Sequence, residues 1–182
     1  RAMDPQQRMV LEGGYVALHA GGLNAAELNG SGAGVAIGVY STDFKLILEE
    51  GSLGKHVYAS TGSTLSVASG RISFVLGLTG PCLSVETACA SSLVATHSAM
   101  RALQHRECDA HLAAGMNLML WPAFGRSLAV ARMPSPVGRS HTFDQRADGF
   151  GRGEGLSASC LRLGSDEAVK LSGSAVRQDG RS

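Results

Sequence analysis

The sequence predicts a layered α/β fold, and three observations carry that reading. Two apolar runs, Gly34 to Tyr40 and Ala110 to Leu120, are bounded by turn residues and read as fully buried strands. Between and around them lie stretches with helical periodicity. Glycine is abundant, at 24 of 182 residues, and aromatic residues make up only 5%, which favours tight turns and close backbone packing.

A chain of 182 residues can bury the core of one globular domain. Apolar residues are 44%, charged residues 17%, and the formal net charge is +1. A near-neutral chain without a basic cluster has no general attraction for nucleic acid or anionic membrane, so neither partner is expected. No apolar run reaches about 18 residues, and no signal segment is visible, so no membrane span is expected and the compartment is left open. The chain opens Arg1-Ala2-Met3-Asp4-Pro5 with no initiator Met, as an internal segment of a longer protein would.

The elements follow in order. Pro5 to His19 is helical, with Asp4 as N-cap, Pro5 at the first helical position and Gly21-Gly22 ending it. Gly14 within it is expected to weaken the helix. After the Gly34 to Tyr40 strand, Ser41 to Gly54 reads as a loop with at most one helical turn. Ser63 to Leu76 is helical, with Leu65, Ser69, Ile72 and Leu76 on one face and Gly70 as a weak point. Gly80-Pro81 marks a turn, and Cys82 to Glu86 reads as a short buried strand. The chain turns helical near Cys89 and ends that helix at His105-Arg106, where cations suit the negative end of the dipole. Leu93, His97, Met100 and Gln104 share one stripe of it, flanked by Val94, Arg101 and His105. Pro122 to Gly138 reads as irregular because Pro134 and Pro136 forbid a long helix there. Asp148 to Gly155 is a glycine-rich loop, and Leu156 to Leu163 and Lys170 to Val176 read as two further strands. No repeat or low-complexity segment is present.

The segment that carries chemistry is Val85-Glu86-Thr87-Ala88-Cys89-Ala90-Ser91-Ser92-Leu93, a strand, a sharp turn and a helix with cysteine at the corner. A thiol attacks a carbonyl as its thiolate. A helix N-terminus offers a positive dipole end and unpaired N–H groups, which favour that anion. The N–H of Cys89 is also placed to face the oxyanion formed when a thioester is attacked. Ala88, Ala90 and Ser91 are small and leave room for substrate. On these residues alone, Cys89 as a small buried hydrophobe remains an open reading. Cys82, Cys108 and Cys160 lack the corner and read as packing residues. No Cys-x-x-Cys pair occurs, so no zinc site is expected, and reduced thiols are expected throughout.

The Cys89 segment resembles the D-T-A-C-S-S-S-L motif of β-ketoacyl synthases. Asp4-Pro5-Gln6-Gln7-Arg8 resembles that family's D-P-Q-Q-R. The run from Ser69 to Pro81 resembles G-R-I-S-Y-x-L-G-L-x-G-P, and Glu107-Cys108-Asp109 with Ala114-Gly115-Met116-Asn117 resembles E-C-D-x-A-L-A-G-G-V-N. Arg139 to Asp144, Ala147 to Phe150 and Arg152 to Gly155 follow in the family order. Ser174-Ala175-Val176 and Gln178-Asp179-Gly180-Arg181-Ser182 resemble S-A-V-N-Q-D-G-R-S. The matches span nearly the whole chain in sequence, and its two ends favour the modular polyketide-synthase branch.

The resemblance implies a thiolase-like layered αβαβα fold, of which residues 1–182 would form the N-terminal half as one partial ketosynthase domain. The family's first strand, and its H-G-T-G-T and N-I-G-H histidine motifs, have no counterpart here. It implies Cys89 as the acyl-accepting nucleophile of a decarboxylative Claisen condensation. Acyl and malonyl-type thioesters would arrive on the phosphopantetheine arm of an acyl carrier protein, with no cofactor held by this chain. It implies a homodimer, for which Gly62 to Leu76 and the strand before Cys89 are candidate contact surfaces. Phe150 is a candidate acyl-pocket residue, and Glu154, which in a buried setting would need a partner, is expected to take a structural hydrogen-bond role. Without the second half, the segment is expected to fold poorly and not to complete the condensation.

Some positions depart from the pattern. Glu86 and Ala90 replace Asp and Ser beside the cysteine, Val137 replaces the Asp of an S-P-D-G-R turn, and Arg177 replaces Asn. The loop between Leu163 and Val169 is short. Three alternatives stay open: a fatty-acid-type ketosynthase or thiolase relative, a non-catalytic protein that sets chain length or dimerises, and a nucleotide-binding module suggested by the glycine loop. The last lacks G-x-G-x-x-G spacing. His97 reads as a core or interface residue and His141 as structural. His19, His56, His105 and His111 show no ligand spacing.

Overall fold

The computed structural model describes residues 3–40, 43–164 and 169–181. Helix α1 (Pro5–Ala20) starts where the Asp4 carboxylate accepts the Gln6 backbone N–H at 2.7 Å, with Pro5 in the first turn. It ends at Gly21, and Gly22 takes φ +83°, a conformation that glycine adopts without steric cost. A one-turn helix α2 (Ala25–Leu28), closed by an Asn24–Glu27 capping box, leads into strand β1 (Gly34–Val39).

Strands β1, β2 (Cys82–Val85), β3 (Ala110–Asn117) and β4 (Gly155–Arg162) form one sheet in the order β2-β1-β3-β4. β1 runs parallel to β2 and β3, while β4 runs antiparallel to β3. Helices α1 and α5 (Ser66–Leu76) cover one face, and α6 (Ser91–Gln104) covers the other.

Side-chain alternation makes the two faces unlike. Toward α1 and α5 the strands present Val35, Ile37, Val39, Leu112, Ala114 and Met116, which pack with Val10, Leu18 and Ile72 in the main core. Toward α6 they present Gly34, Ala36, Gly38, Ala113 and Gly115, and α6 answers with Ala95 and Ala99. One face is filled by large aliphatic side chains. The other is small apart from His111 beside Gly34, so α6 lies close against the strands.

The α1 face also needs glycine, at the crossing points. A Cβ on Gly14 would come within 2.8 Å of Leu112 Cδ2, one on Gly13 would collide with Leu156, and one on Gly21 would come within 2.5 Å of Cys160 Sγ. Gly14 is therefore a seat for the sheet, which corrects its reading as a weak point only. The two glutamines after Asp4-Pro5 are buried struts. Gln6 Oε1 accepts the Leu118 N–H at 3.0 Å. Gln7 Nε2 donates to the carbonyls of Thr61 and Thr64, and Arg71 Nε donates to Gln7 Oε1 at 3.0 Å.

Four other expectations need correction. The stretch after β1 carries a two-turn helix α3 (Asp43–Glu50) and a 3₁₀ turn (Ser52–Lys55); Phe44 and Leu48 share its buried face. Ser41, where the expected loop began, lies outside the described residues. The helix expected from Ser63 is split, with a short α4 (Ala59–Ser63) ending at Thr64 before α5 begins. Pro122 opens helix α7 (Pro122–Val130) at its first position, where a missing N–H costs nothing; Pro134 and Pro136 lie beyond its end. Lys170 to Val176 forms no strand, because it joins no ladder among the described residues.

β2 exists as expected but is an edge strand, half-buried with Cys82 exposed. Residues 165–168 of the short loop and Ser182 of the closing motif lie outside the described residues.

His111, on the small face of β3, is fully buried. Its Nδ1 lies 3.0 Å from the Leu112 carbonyl oxygen, which requires the Nδ1–H tautomer, and its Nε2 has no hydrogen-bond partner among the described residues. Burial holds this imidazole below its ordinary value of 6.5. The folded state therefore binds fewer protons than the unfolded state once pH falls below that value, and stability present above it is lost on acidification. Urea midpoints should fall as pH is lowered from about 7 to about 5, and His111→Leu should flatten that dependence. An unchanged slope in the variant would show that another group governs it.

Candidate active site

β2 ends at Val85, and the chain reverses through Glu86 to Ala90 into α6. The reversal is tight. The Ala90 N–H donates to the Thr87 carbonyl at 3.1 Å, and the Ser91 N–H donates to the Ala88 carbonyl at 3.2 Å. Glu86 Oε1 accepts the Ala88 N–H at 3.3 Å, so Glu86 serves as an acceptor to the turn. Ala88 sits at φ +50°, in the left-handed region that residues with a Cβ rarely adopt.

Cys89 follows that strained residue at the apex and is exposed. It precedes the first helical residue by two positions, at the positive end of α6. Ala90, the capping position, supplies no side-chain acceptor, so the field of the first turn is not met by a local cap.

The helix can begin here because the sheet makes room for it. A Cβ on Gly38 of β1 would lie 2.5 Å from Ser91 C and Ser92 N. One on Gly115 of β3 would collide with Ser92 Cβ. Gly38 and Gly115 are register partners on neighbouring strands, so together they form one shallow seat under the first turn of α6. The position of Cys89 is set by this seat from below and by the turn hydrogen bonds from the side.

The other cysteines lie elsewhere. Cys108 is buried after α6, and desolvation pushes its thiol up, which disfavours a thiolate. Cys82 is exposed on β2, and Cys160 packs under Gly21. No group of three metal-ligating side chains occurs among the described residues. His97, on α6, contacts Ser174 Oγ through Nδ1 at 2.7 Å, and His141 contributes a backbone carbonyl to the turn at Asp144.

Phe150 is 41% exposed. Its backbone is tied to Met133 and Ser135, not to the Cys89 turn. The surrounding glycine loop is tied to the 133–140 segment. The Phe150 N–H donates to the Met133 carbonyl at 3.2 Å, the Gly151 N–H donates to Ser140 Oγ at 2.9 Å, and Gly149 takes φ +136° over the Pro134–Ser135 backbone. Two successive N–H groups of the loop, at Phe150 and Gly151, are thereby occupied and not offered to a phosphate. Glu154 makes the structural hydrogen bond expected of it, accepting the Met119 N–H at 2.7 Å, from an exposed position. The turn with Val137 in place of Asp is kept by Ser135, whose Oγ accepts the Val137 N–H at 3.3 Å.

Sequence reasoning missed Gly38, Gly115 and Asp43. Glycine inside a strand is the signal for the first two, since it marks a close backbone approach. Asp43 is buried and accepts the N–H groups of Leu120 and Trp121 at 3.1 and 2.9 Å, fixing the exit of β3. No local pattern announces that pairing.

The sequence profile described as "Beta-ketoacyl synthase, N-terminal domain" matches residues 1–167. The chain is 42% identical, over its whole length, to a phenolphthiocerol/phthiocerol polyketide synthase of Mycobacterium tuberculosis, and spans 12% of that protein. It is 40% identical to a mycocerosic acid synthase-like polyketide synthase of Mycolicibacterium smegmatis, over 99% of this chain and 9% of the relative. Among solved structures it resembles the ketosynthase from module 6 of the Bacillus subtilis bacillaene synthase, with TM-score 0.79 and 38% identity over 88% of this chain and 27% of that one.

The glycine seat gives a direct test. Gly38→Ala should destabilise the protein by about 1–3 kcal/mol through overpacking. Gly153→Ala, whose added Cβ meets nothing within 4 Å, should change stability by less than about 0.5 kcal/mol. Thermal unfolding of both variants checks this, and equal effects would refute the close approach.

Proposed function

The chain belongs to the β-ketoacyl synthase family, and from that premise we propose that Cys89 is the acyl-accepting nucleophile of a ketosynthase acting in polyketide assembly. The single observation that carries the proposal is the placement of an exposed cysteine on a strained strand-to-helix turn at the positive end of α6.

In the proposed reaction, the Cys89 thiolate attacks the carbonyl carbon of an acyl thioester on a carrier protein. The carrier thiol leaves, and the acyl chain is held on sulfur. The Cys89 N–H is proposed to face the oxyanion formed on the way. A malonyl-type thioester then loses CO2, and its carbanion attacks the Cys89 thioester. A carbon–carbon bond forms, the carbon–sulfur bond to Cys89 breaks, and a β-ketoacyl thioester remains on the carrier. The decarboxylation step calls on histidines in family motifs that residues 1–182 do not contain.

Residues 1–182 are proposed to supply the cysteine-bearing N-terminal half of such a domain within a larger synthase. The small share of each relative that the chain spans supports this reading. The carrier's phosphopantetheine arm is read as substrate, with no separate cofactor. Phe150 is proposed to line the acyl channel, on the strength of its partly exposed position in a loop whose backbone is tied to Met133 and Ser135. A homodimer is proposed through the β2 edge and the outer face of α5, where Phe74 is 87% and Val75 54% exposed.

The test is mass spectrometry of the intact synthase that carries this segment, after incubation with an acyl thioester. One acyl group should appear on Cys89 and be absent from Cys89→Ala. Labelling confined to Cys82, Cys108 or Cys160 would overturn the assignment.

A further inference from the structure

Ser91 is only 4% exposed, and its hydroxyl makes two bonds to the turn that presents Cys89. It accepts the Thr87 backbone N–H at 2.8 Å and donates to the Ala88 carbonyl at 2.7 Å. The first group belongs to the Glu86–Thr87 peptide and the second to the Ala88–Cys89 peptide, so the two bonds bracket Ala88, the residue at φ +50°. One side-chain atom thus bridges the end of the β2 exit and the carbonyl immediately before Cys89. Its own backbone is pinned from below, since Ser91 C and O lie over Gly38. The clasp is therefore anchored to the sheet at one end and to the turn at the other.

We infer that Ser91 is a positioning residue for Cys89: its hydroxyl holds the Thr87–Ala88 turn in the conformation that aims the thiol. The inference rests on Cys89 being the nucleophile. Alanine at position 91 keeps the helix and adds no volume, but it leaves the Thr87 N–H without its acceptor and removes the added bond to the Ala88 carbonyl. Ala88 is then held only by the Glu86 carboxylate and the backbone bonds of Ala90 and Ser91, and its relaxation toward negative φ would rotate the next residue and its thiol. Substrate binding depends on other surfaces and is little affected.

Other hydroxyls of α6 serve as controls. Ser98 Oγ donates to the Val94 carbonyl at 3.0 Å, within the helix and away from the turn.

The experiment measures acyl transfer to Cys89 in the intact synthase, resolving kcat from KM, beside the folded fraction by circular dichroism. Ser91→Ala should lower kcat about tenfold to a hundredfold, the scale of a small misplacement of a reacting group, with KM little changed. Ser91→Thr, which restores the hydroxyl, should recover most of the loss, and Ser98→Ala should stay at the wild-type rate. The inference is overturned if Ser91→Ala acylates as fast as wild type, if its loss only tracks the folded fraction, or if Ser91→Thr is as slow as Ser91→Ala. Absence of Cys89 acylation in the wild-type protein would instead remove the nucleophile reading, and this inference with it.

Discussion

The closeness of α6 to the sheet is the constraint on which the rest depends. Where β1 and β3 pass under the helix they carry Gly38 and Gly115, and a Cβ at either would strike backbone or side-chain atoms of Ser91 and Ser92. Alanines continue the contact along the helix, with Ala36 and Ala113 meeting Ala95 and Ala99. Small-on-small packing forgoes the large area that a leucine would bury, so this face contributes less hydrophobic stabilisation than the other. It gives geometric definition instead. A helix seated on backbone has little freedom to shift, and the turn at its start inherits that rigidity.

The opposite face supplies the bulk of the burial. Val10, Leu18, Ile37, Ile72 and Leu112 are completely buried between α1, α5 and the sheet. Polar struts cross that layer and tie it to the strand that leads to Cys89. Gln7 joins α1 to the backbone before α5 and to Arg71 within it. Ser69 of α5 meets Ser84 of β2 at 2.9 Å between their hydroxyls. Each bond replaces one to water and is worth on the order of 1 kcal/mol. Their larger effect is on register: α5 is held against β2, and the exit of β2 is thereby fixed.

The sequence made local signals legible and long-range ones opaque. Helix α1 was readable because Asp4, Pro5 and Gly21 are adjacent to the ends they define. β1 and β3 were readable as uninterrupted apolar runs, and the corner at Cys89 as strand, turn and helix in nine residues. Helix α3 was not, because its first residue is stabilised by Leu120 and Trp121, far along the chain. Helix α7 was obscured by reading Pro134 and Pro136 across the whole stretch, when Pro122 is a helix starter. Lys170 to Val176 has strand-like composition, and composition does not supply a partner strand. Within the site, Ser91 was visible only as a small residue. Its two hydrogen bonds depend on the folded turn, and no spacing rule reveals them.

The turn itself is a balance of comparable energies. A left-handed conformation at Ala88 costs about 1–2 kcal/mol relative to the right-handed region. Two hydrogen bonds through the Ser91 hydroxyl return about 0.5–1.5 kcal/mol each, so the clasp and the strain are matched in size. Neither the strain nor the clasp would hold the turn if Ser91 itself were mobile, and its mobility is removed by Gly38 beneath it. Sheet, helix start and turn therefore act as one unit. An exposed cysteine placed directly after such a residue has its direction determined by backbone, not by packing of its own side chain. That arrangement leaves the thiol exposed while keeping its position defined.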